Sequence, residues 1–118
     1  MNKEFADRFA AEWLAAWNSH DLDKILEHYA DDFEMHSPAV ALMLGEPSGV
    51  LQGQHAVRRY WAKALTLVPD LQFELHATLL GVDSITLYYK GARGRMVAEV
   101  FYFGSDKKVI RAAAHYDV

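Results

Sequence analysis

The chain contains no cysteine. That excludes disulfides, thiolate nucleophiles and cysteine-based zinc or iron–sulfur sites, and leaves the redox compartment open. It also lacks a basic block. The formal net charge is −4, and Arg58-Arg59 and Lys107-Lys108 are the adjacent cations, too few for a surface that tracks phosphates. No apolar run approaches the roughly 20 residues of a membrane span, and Asn2 to Arg8 is mixed polar and charged, without the apolar stretch of a signal peptide. The expectation is a soluble, cytoplasmic protein with neither nucleic acid nor membrane as partner. His20 and His28 fall in no metal-ligand spacing, so no metal site is expected. Ser37 sits in no nucleophile elbow.

What is present is 118 residues, 52% apolar and 24% charged. This is the balance of one globular domain, residues 1–118, with a single core. Phe5, Phe9, Trp13 and Trp17 recur every four residues beside Ala6, Ala10 and Leu14, which predicts an amphipathic helix with an aromatic stripe. Asp21 is a suitable N-cap for a second helix carrying Leu22, Ile25, Leu26 and Tyr29 on one face. A short strand is expected from Phe33 to Ser37, closed by Pro38. Residues 39 to 52 read as a connection broken by Gly45, Pro47 and Gly49, apolar in its first half and therefore either a lid or a subunit contact. A third helix follows Gly53 and runs to about Val68, with Val57, Tyr60, Trp61, Ala64 and Leu65 on one stripe.

The rest reads as an antiparallel meander of four strands, Leu71 to Leu80, Ser84 to Lys90, Arg95 to Phe103 and Lys107 to Tyr116. In the first, alternation groups Leu71, Phe73, Leu75, Ala77 and Leu79 on the core face. In the last, it sets Ile110, Ala112, Ala114 and Tyr116 on one face. The third is apolar on both faces. Three helices cover one side of a curved sheet, so its second face of Met96, Ala98, Val100 and Tyr102 predicts a homodimer.

The other face of that strand holds a lone charge. Glu99 falls with Val97, Phe101 and Phe103. A carboxyl in so poorly solvated a wall loses hydration of its ionised form, and its pKa rises. Glu99 is thus a candidate acid or base; the competing reading pairs it with Arg93, Arg95 or Arg111, or sets it at a wet rim.

The element order, with His28-Tyr29-Ala30-Asp31-Asp32-Phe33 and Gly53-Gln54-His55-Ala56-Val57, resembles the nuclear transport factor 2-like superfamily, specifically its SnoaL-like and ketosteroid isomerase-like branches. The resemblance covers nearly the whole chain. It implies an α+β cone in which three N-terminal helices pack on a curved, mostly antiparallel sheet around an internal pocket. The isomerase branch uses an aspartate base with an oxyanion hole of a tyrosine and a protonated acid. The base position falls on Ser37, too weak a base to act unaided. The tyrosine position falls on Trp13, whose indole N–H still donates one hydrogen bond. The protonated acid falls on Glu99.

Ketosteroid isomerisation as such is therefore not expected. The pocket wall is expected from Trp17, Phe33, Met35, Trp61 and Phe101, with room beside the small Ala112 and Ala114 and with Tyr116 on the same face as they. Two functions are open. One is a cofactor-free isomerase, cyclase, dehydratase or epoxide hydrolase acting on a small apolar carbonyl or hydroxyl compound, with Glu99 as acid or base and Trp13 and Ser37 orienting the oxygen. The other is a non-catalytic ligand-binding or dimerisation module. A dehydratase of the superfamily uses histidine, which holds His36 and His76 in reserve should a strand register slip. A second titratable group within reach of Glu99 would favour turnover.

Overall fold

The computed structural model describes residues 1–117. Its elements are α1 (Lys3–Ser19), α2 (Leu22–Leu26), β1 (Tyr29–His36), α3 (Pro38–Leu44), β2 (Val50–Gln52), α4 (Gln54–Leu67), β3 (Glu74–Leu80), β4 (Ser84–Lys90), a 3₁₀ turn (Ala92–Gly94), β5 (Met96–Phe103) and β6 (Val109–Tyr116). The strands form one sheet in the order β2-β1-β6-β5-β4-β3. All neighbours are antiparallel except β1 and β6, which run parallel. The helices pack on one face of this sheet, the α+β cone expected. No helix is long and apolar enough to cross a membrane.

Capping chemistry explains the helix limits. Asn2 accepts from the Phe5 N–H and Asp21 from the Asp23 and Lys24 N–H groups, each satisfying donors that a first turn leaves free. The aromatic stripe of α1 then buries Phe9, Trp13 and Trp17. Phe9 meets Phe101 and Phe103 edge-on at ring separations of 5.1 and 5.0 Å, contacts worth about 0.5–1.5 kcal/mol each beyond their buried area.

Several boundaries differ from the sequence reading. The connection expected over residues 39 to 52 holds a helix and a strand. Ser37 caps α3 by accepting from the Ala39 N–H at 3.1 Å, Pro38 occupies the first turn, and Gly45 closes the helix at φ 67°. Gly49, at φ +69°, lets the chain return so closely that an added Cβ would stand 3.1 Å from the Ser37 carbonyl oxygen. Strand β1 begins at Tyr29 rather than Phe33 and ends before Ser37.

In β3, which begins at Glu74 rather than Leu71, a bulge between Leu75 and Ala77 reverses the alternation. Thr78 and Leu80 therefore sit opposite Leu87 and Ile85, while Leu79 faces away and is 59% exposed. One extra residue exchanges the two faces of a strand. In β6 a second irregularity, opposite Tyr102 and Phe103, turns Ile110 outward and buries Val109 in its place.

Strand β5 keeps strict alternation: Val97, Glu99, Phe101 and Phe103 are buried, and Met96, Ala98, Val100 and Tyr102 are half-buried. The guanidinium of Arg111 lies 4.5 Å from the Tyr102 ring on that outer face.

Candidate functional site

A cavity of about 390 Å³ lies between the helices and the concave face of the sheet. Trp13 and Trp17 reach it from α1, Tyr60 and Trp61 from α4, and Tyr89, Val97, Glu99 and Tyr116 from the sheet. Pro38, Ala39, Leu42 and Met43 bring α3 to its rim, where Leu42 is 86% exposed. Lys63 of α4 holds α3 there by donating to the Met43 carbonyl at 3.0 Å. A second concavity of about 350 Å³ adjoins it and shares Leu71, Phe73 and Arg93, but no buried titratable group lines it.

Glu99 is 4% exposed. It sits opposite Leu87 on β4 and Ala114 on β6, so its carboxyl has apolar neighbours on both sides. Its partner is the Tyr89 hydroxyl, which donates to Oε1 at 2.7 Å. Burial pushes the Glu99 carboxyl up to about 7, and the Tyr89 hydrogen bond holds back part of that rise. Burial, then the nearby Glu99 charge, drives the Tyr89 phenol well above its usual range. None of the three arginines weighed as partners pairs with Glu99. Arg111 is on the outer face, Arg95 donates to the Asp117 carbonyl at 2.7 Å, and Arg93 is exposed at the rim. Among the described residues no cation pairs with Glu99.

Trp13 is 1% exposed and donates its indole N–H to the Tyr29 hydroxyl at 2.9 Å. That donor is therefore engaged within the protein. Burial raises the Tyr29 phenol well above its usual range, the Glu99 charge adds to the rise, and the Trp13 bond opposes it. Ser37 is buried but does not line the cavity; its hydroxyl serves the first turn of α3. Tyr60 and Tyr116 are raised by burial first; hydrogen bonding with Ser37 tempers both.

Of the residues expected in the wall, Trp17, Met35, Trp61 and Tyr116 line the cavity. Phe33, Phe101 and Ala112 are fully buried and Ala114 nearly so, packed in the core rather than along the lining. The bulky rings meet there: Phe101 packs against Phe9 and Trp13, and Phe33 against Tyr29 and Trp61. His36 binds Glu34 at 2.9 Å and His76 stands against the Tyr88 ring; neither lines the cavity. Among the described residues no cluster of three or more histidine, aspartate or glutamate side chains could hold a metal.

Sequence reasoning passed over Tyr89. The alternation Ile85, Leu87, Tyr89 along β4 contained the signal, since it sets this phenol on the face that Glu99 shares.

The model of the SnoaL-like domain matches residues 10–118. Among solved structures, a SnoaL-like protein of unknown function from Burkholderia thailandensis is 54% identical, with a TM-score of 0.97 over 99% of this chain and 98% of the other. AclR, a putative hydroxylase from Streptomyces galilaeus, is 20% identical with a TM-score of 0.76, covering 98% of this chain and 81% of its own. A putative isomerase of the SnoaL-like family from Agrobacterium tumefaciens is 15% identical with a TM-score of 0.75, covering 96% and 97%. Comparison with curated proteins gave no match.

Proposed function

The chain belongs to the SnoaL-like family of nuclear transport factor 2-like proteins, and from that premise we propose that its cavity takes a small, largely apolar molecule bearing a carbonyl or hydroxyl oxygen, with Glu99 as the acid–base group. The observation that carries this reading is the Glu99–Tyr89 pair, two titratable groups 2.7 Å apart in a wall that is otherwise mostly aromatic and aliphatic. A general base works best with a pKa near the operating pH, and that of Glu99 is about 7. The Tyr89 phenol stays protonated and serves as a fixed donor.

The step that suits this arrangement is proton transfer at carbon beside a carbonyl. The Glu99 carboxylate takes the proton, the C–H electron pair becomes the enolate, and the new carboxylic acid returns the proton to the same or a neighbouring carbon. No cofactor enters this step. Removal of water from around the carboxylate strengthens it as a base. The structural neighbour described as a putative isomerase names a reaction class that such proton transfer serves.

Deuterium exchange tests the proposal. In deuterated buffer at pH 7.5, 2-tetralone should lose its α-protons faster with wild-type protein than with Glu99→Gln, by about 100-fold or more for a missing general base. Equal rates would overturn the proposal of turnover.

One observation favours a second reading, a ligand-binding module without turnover. Ser37, at the position the resemblance gives to the family's base, caps α3 and carries no group that titrates near neutral pH. Binding of apolar ketones with no exchange of their protons would support it. The half-buried outer face of β5 also supports a homodimer, which native mass spectrometry tests directly.

A further inference from the structure

The register of the sheet sets two phenols around Glu99. Val97 of β5 stands opposite Tyr89 on β4 and Tyr116 on β6, while Glu99, one row along the same face, stands opposite Leu87 and Ala114. Tyr89 and Tyr116 are thus diagonal neighbours of the carboxyl, one on each side, at a spacing that long side chains bridge. Tyr89 spends its proton on Glu99. Tyr116 does not. It converges instead with Tyr60 of α4 on Ser37, which neighbours both hydroxyls, and both tyrosines line the cavity.

Among the described residues no group is placed to accept the proton of either hydroxyl, whereas that of Tyr89 goes to Glu99. Ser37 does not fill this role. Its oxygen takes the Ala39 N–H, and it eases the ionisation of both phenols, which is the mark of a donor to their oxygens. With a single hydrogen to give, it cannot close off two phenols at once. Among the described residues the indole nitrogen of Trp17 is the one side-chain polar atom both shut off from water and unpaired. The Tyr60 and Tyr116 hydroxyls are therefore open, and the cavity they line is what they open on.

We propose that Tyr60 and Tyr116 hold the carbonyl oxygen of the substrate, so that the site runs in the reverse sense to the one the family resemblance implies: the oxygen lies toward Ser37, and the base is Glu99. The inference rests on the reading of the cavity as an acid–base site. As the Glu99 carboxylate takes the proton from carbon, the C–H electron pair forms the new C=C bond and the carbonyl π pair moves onto oxygen. The two hydroxyls donate to that oxyanion and keep their own protons, since burial raises both phenols. Donors fixed in a dry wall stabilise charge that develops in front of them. An alcohol or ether oxygen develops none, so the substrate class narrows to a ketone or enone with a hydrogen on the carbon beside its carbonyl.

The carbonyl band of bound 2-tetralone, labelled with carbon-13 at the carbonyl and read by infrared difference spectroscopy, tests this placement. A donated hydrogen bond lowers the stretch. In wild-type protein the band should lie below its position in hexane. Tyr60→Phe and Tyr116→Phe should each move it back toward that position, and Tyr89→Phe should leave it as in wild type. In deuterium exchange the first two variants should each lose about 100-fold in kcat, the cost of one oxyanion donor, with KM within about threefold.

A bound ketone whose band sits at the hexane position would overturn this inference alone, and that result needs no variant to fold. So would a band that neither Tyr60→Phe nor Tyr116→Phe moves, with exchange by Glu99 left standing in both cases. Equal exchange in wild type and Glu99→Gln removes the proposed reaction, and the inference falls with it.

Discussion

Replacement of Glu99 by glutamine should make the protein more stable, and only above a particular pH. The free carboxyl titrates at 4.5 and the folded one at about 7. Between those values the folded state keeps a proton that the unfolded state has released, so stability falls as pH rises through that window. At about 1.4 kcal/mol per pH unit the full cost comes to about 3 kcal/mol above pH 7. Glutamine has no proton to lose, and its side-chain oxygen still accepts from the Tyr89 hydroxyl. The variant and the wild type should therefore be alike near pH 4, diverge from about pH 5, and differ by about 3 kcal/mol at pH 8, or about 12 °C in melting temperature for a domain of this size.

Urea unfolding followed by tryptophan fluorescence, repeated from pH 4 to 9, measures this. His28 acts in the opposite sense: burial lowers its pKa, so its contribution is present above pH 6.5 and fades as pH falls. Its charged neighbours are Glu12, Lys108 and Glu27 rather than Glu99, so it cancels in the difference between the two proteins. A difference curve that is flat with pH, or that grows toward acid, would refute the argument that Glu99 is buried as its neutral form.

Tyr89→Phe removes the donor that holds Glu99 down, so the same difference experiment should move its midpoint above 7 and cost about 2 kcal/mol at pH 8, where the buried carboxylate loses its one hydrogen bond. Ser37→Ala should cost about 1 kcal/mol by uncapping α3, and should raise amide hydrogen exchange across residues 38–44 more than elsewhere. Trp13→Phe leaves the buried Tyr29 hydroxyl without its donor and opens space in the core, which should cost about 3 kcal/mol in urea titration. Above pH 10 the folded state retains the protons of Tyr29, Tyr60, Tyr89 and Tyr116, all raised, while the unfolded state loses them. Stability should therefore drop with further alkali, and phenolate absorbance should grow in the same cooperative step as the loss of tryptophan fluorescence.

Glu99 was legible because it is the one charge in an apolar run, and a run of strict alternation carries its own account of which side is buried. Trp13, Trp17 and Trp61 were legible as helical stripes for the same reason. Tyr89 was harder, because its partnership with Glu99 depends on how β4 and β5 are set against each other. The helix α3 went unread although Ser37, Pro38 and Gly45 mark both its ends; seven residues give too short a period to stand out. The bulges in β3 and β6 left no mark in composition, since one looped-out residue is dictated by the strand alongside. Whether an indole N–H finds an acceptor is a fact of three-dimensional packing. No spacing distinguishes Trp13 from Trp17.

The parallel pairing of β6 with β1 has a consequence for how the chain comes together. Strand β6 is the seam between two blocks, β2-β1 on one side and β5-β4-β3 on the other. Tyr29 and Val109 are direct partners across that seam, some eighty residues apart in sequence. During synthesis, a nascent chain that has not yet extruded residues 109–116 holds two sheet fragments with open edges and no strand to join them. Closure of the cone is thus a late event, and until it occurs those edges are the places where one growing chain can wrongly pair with another.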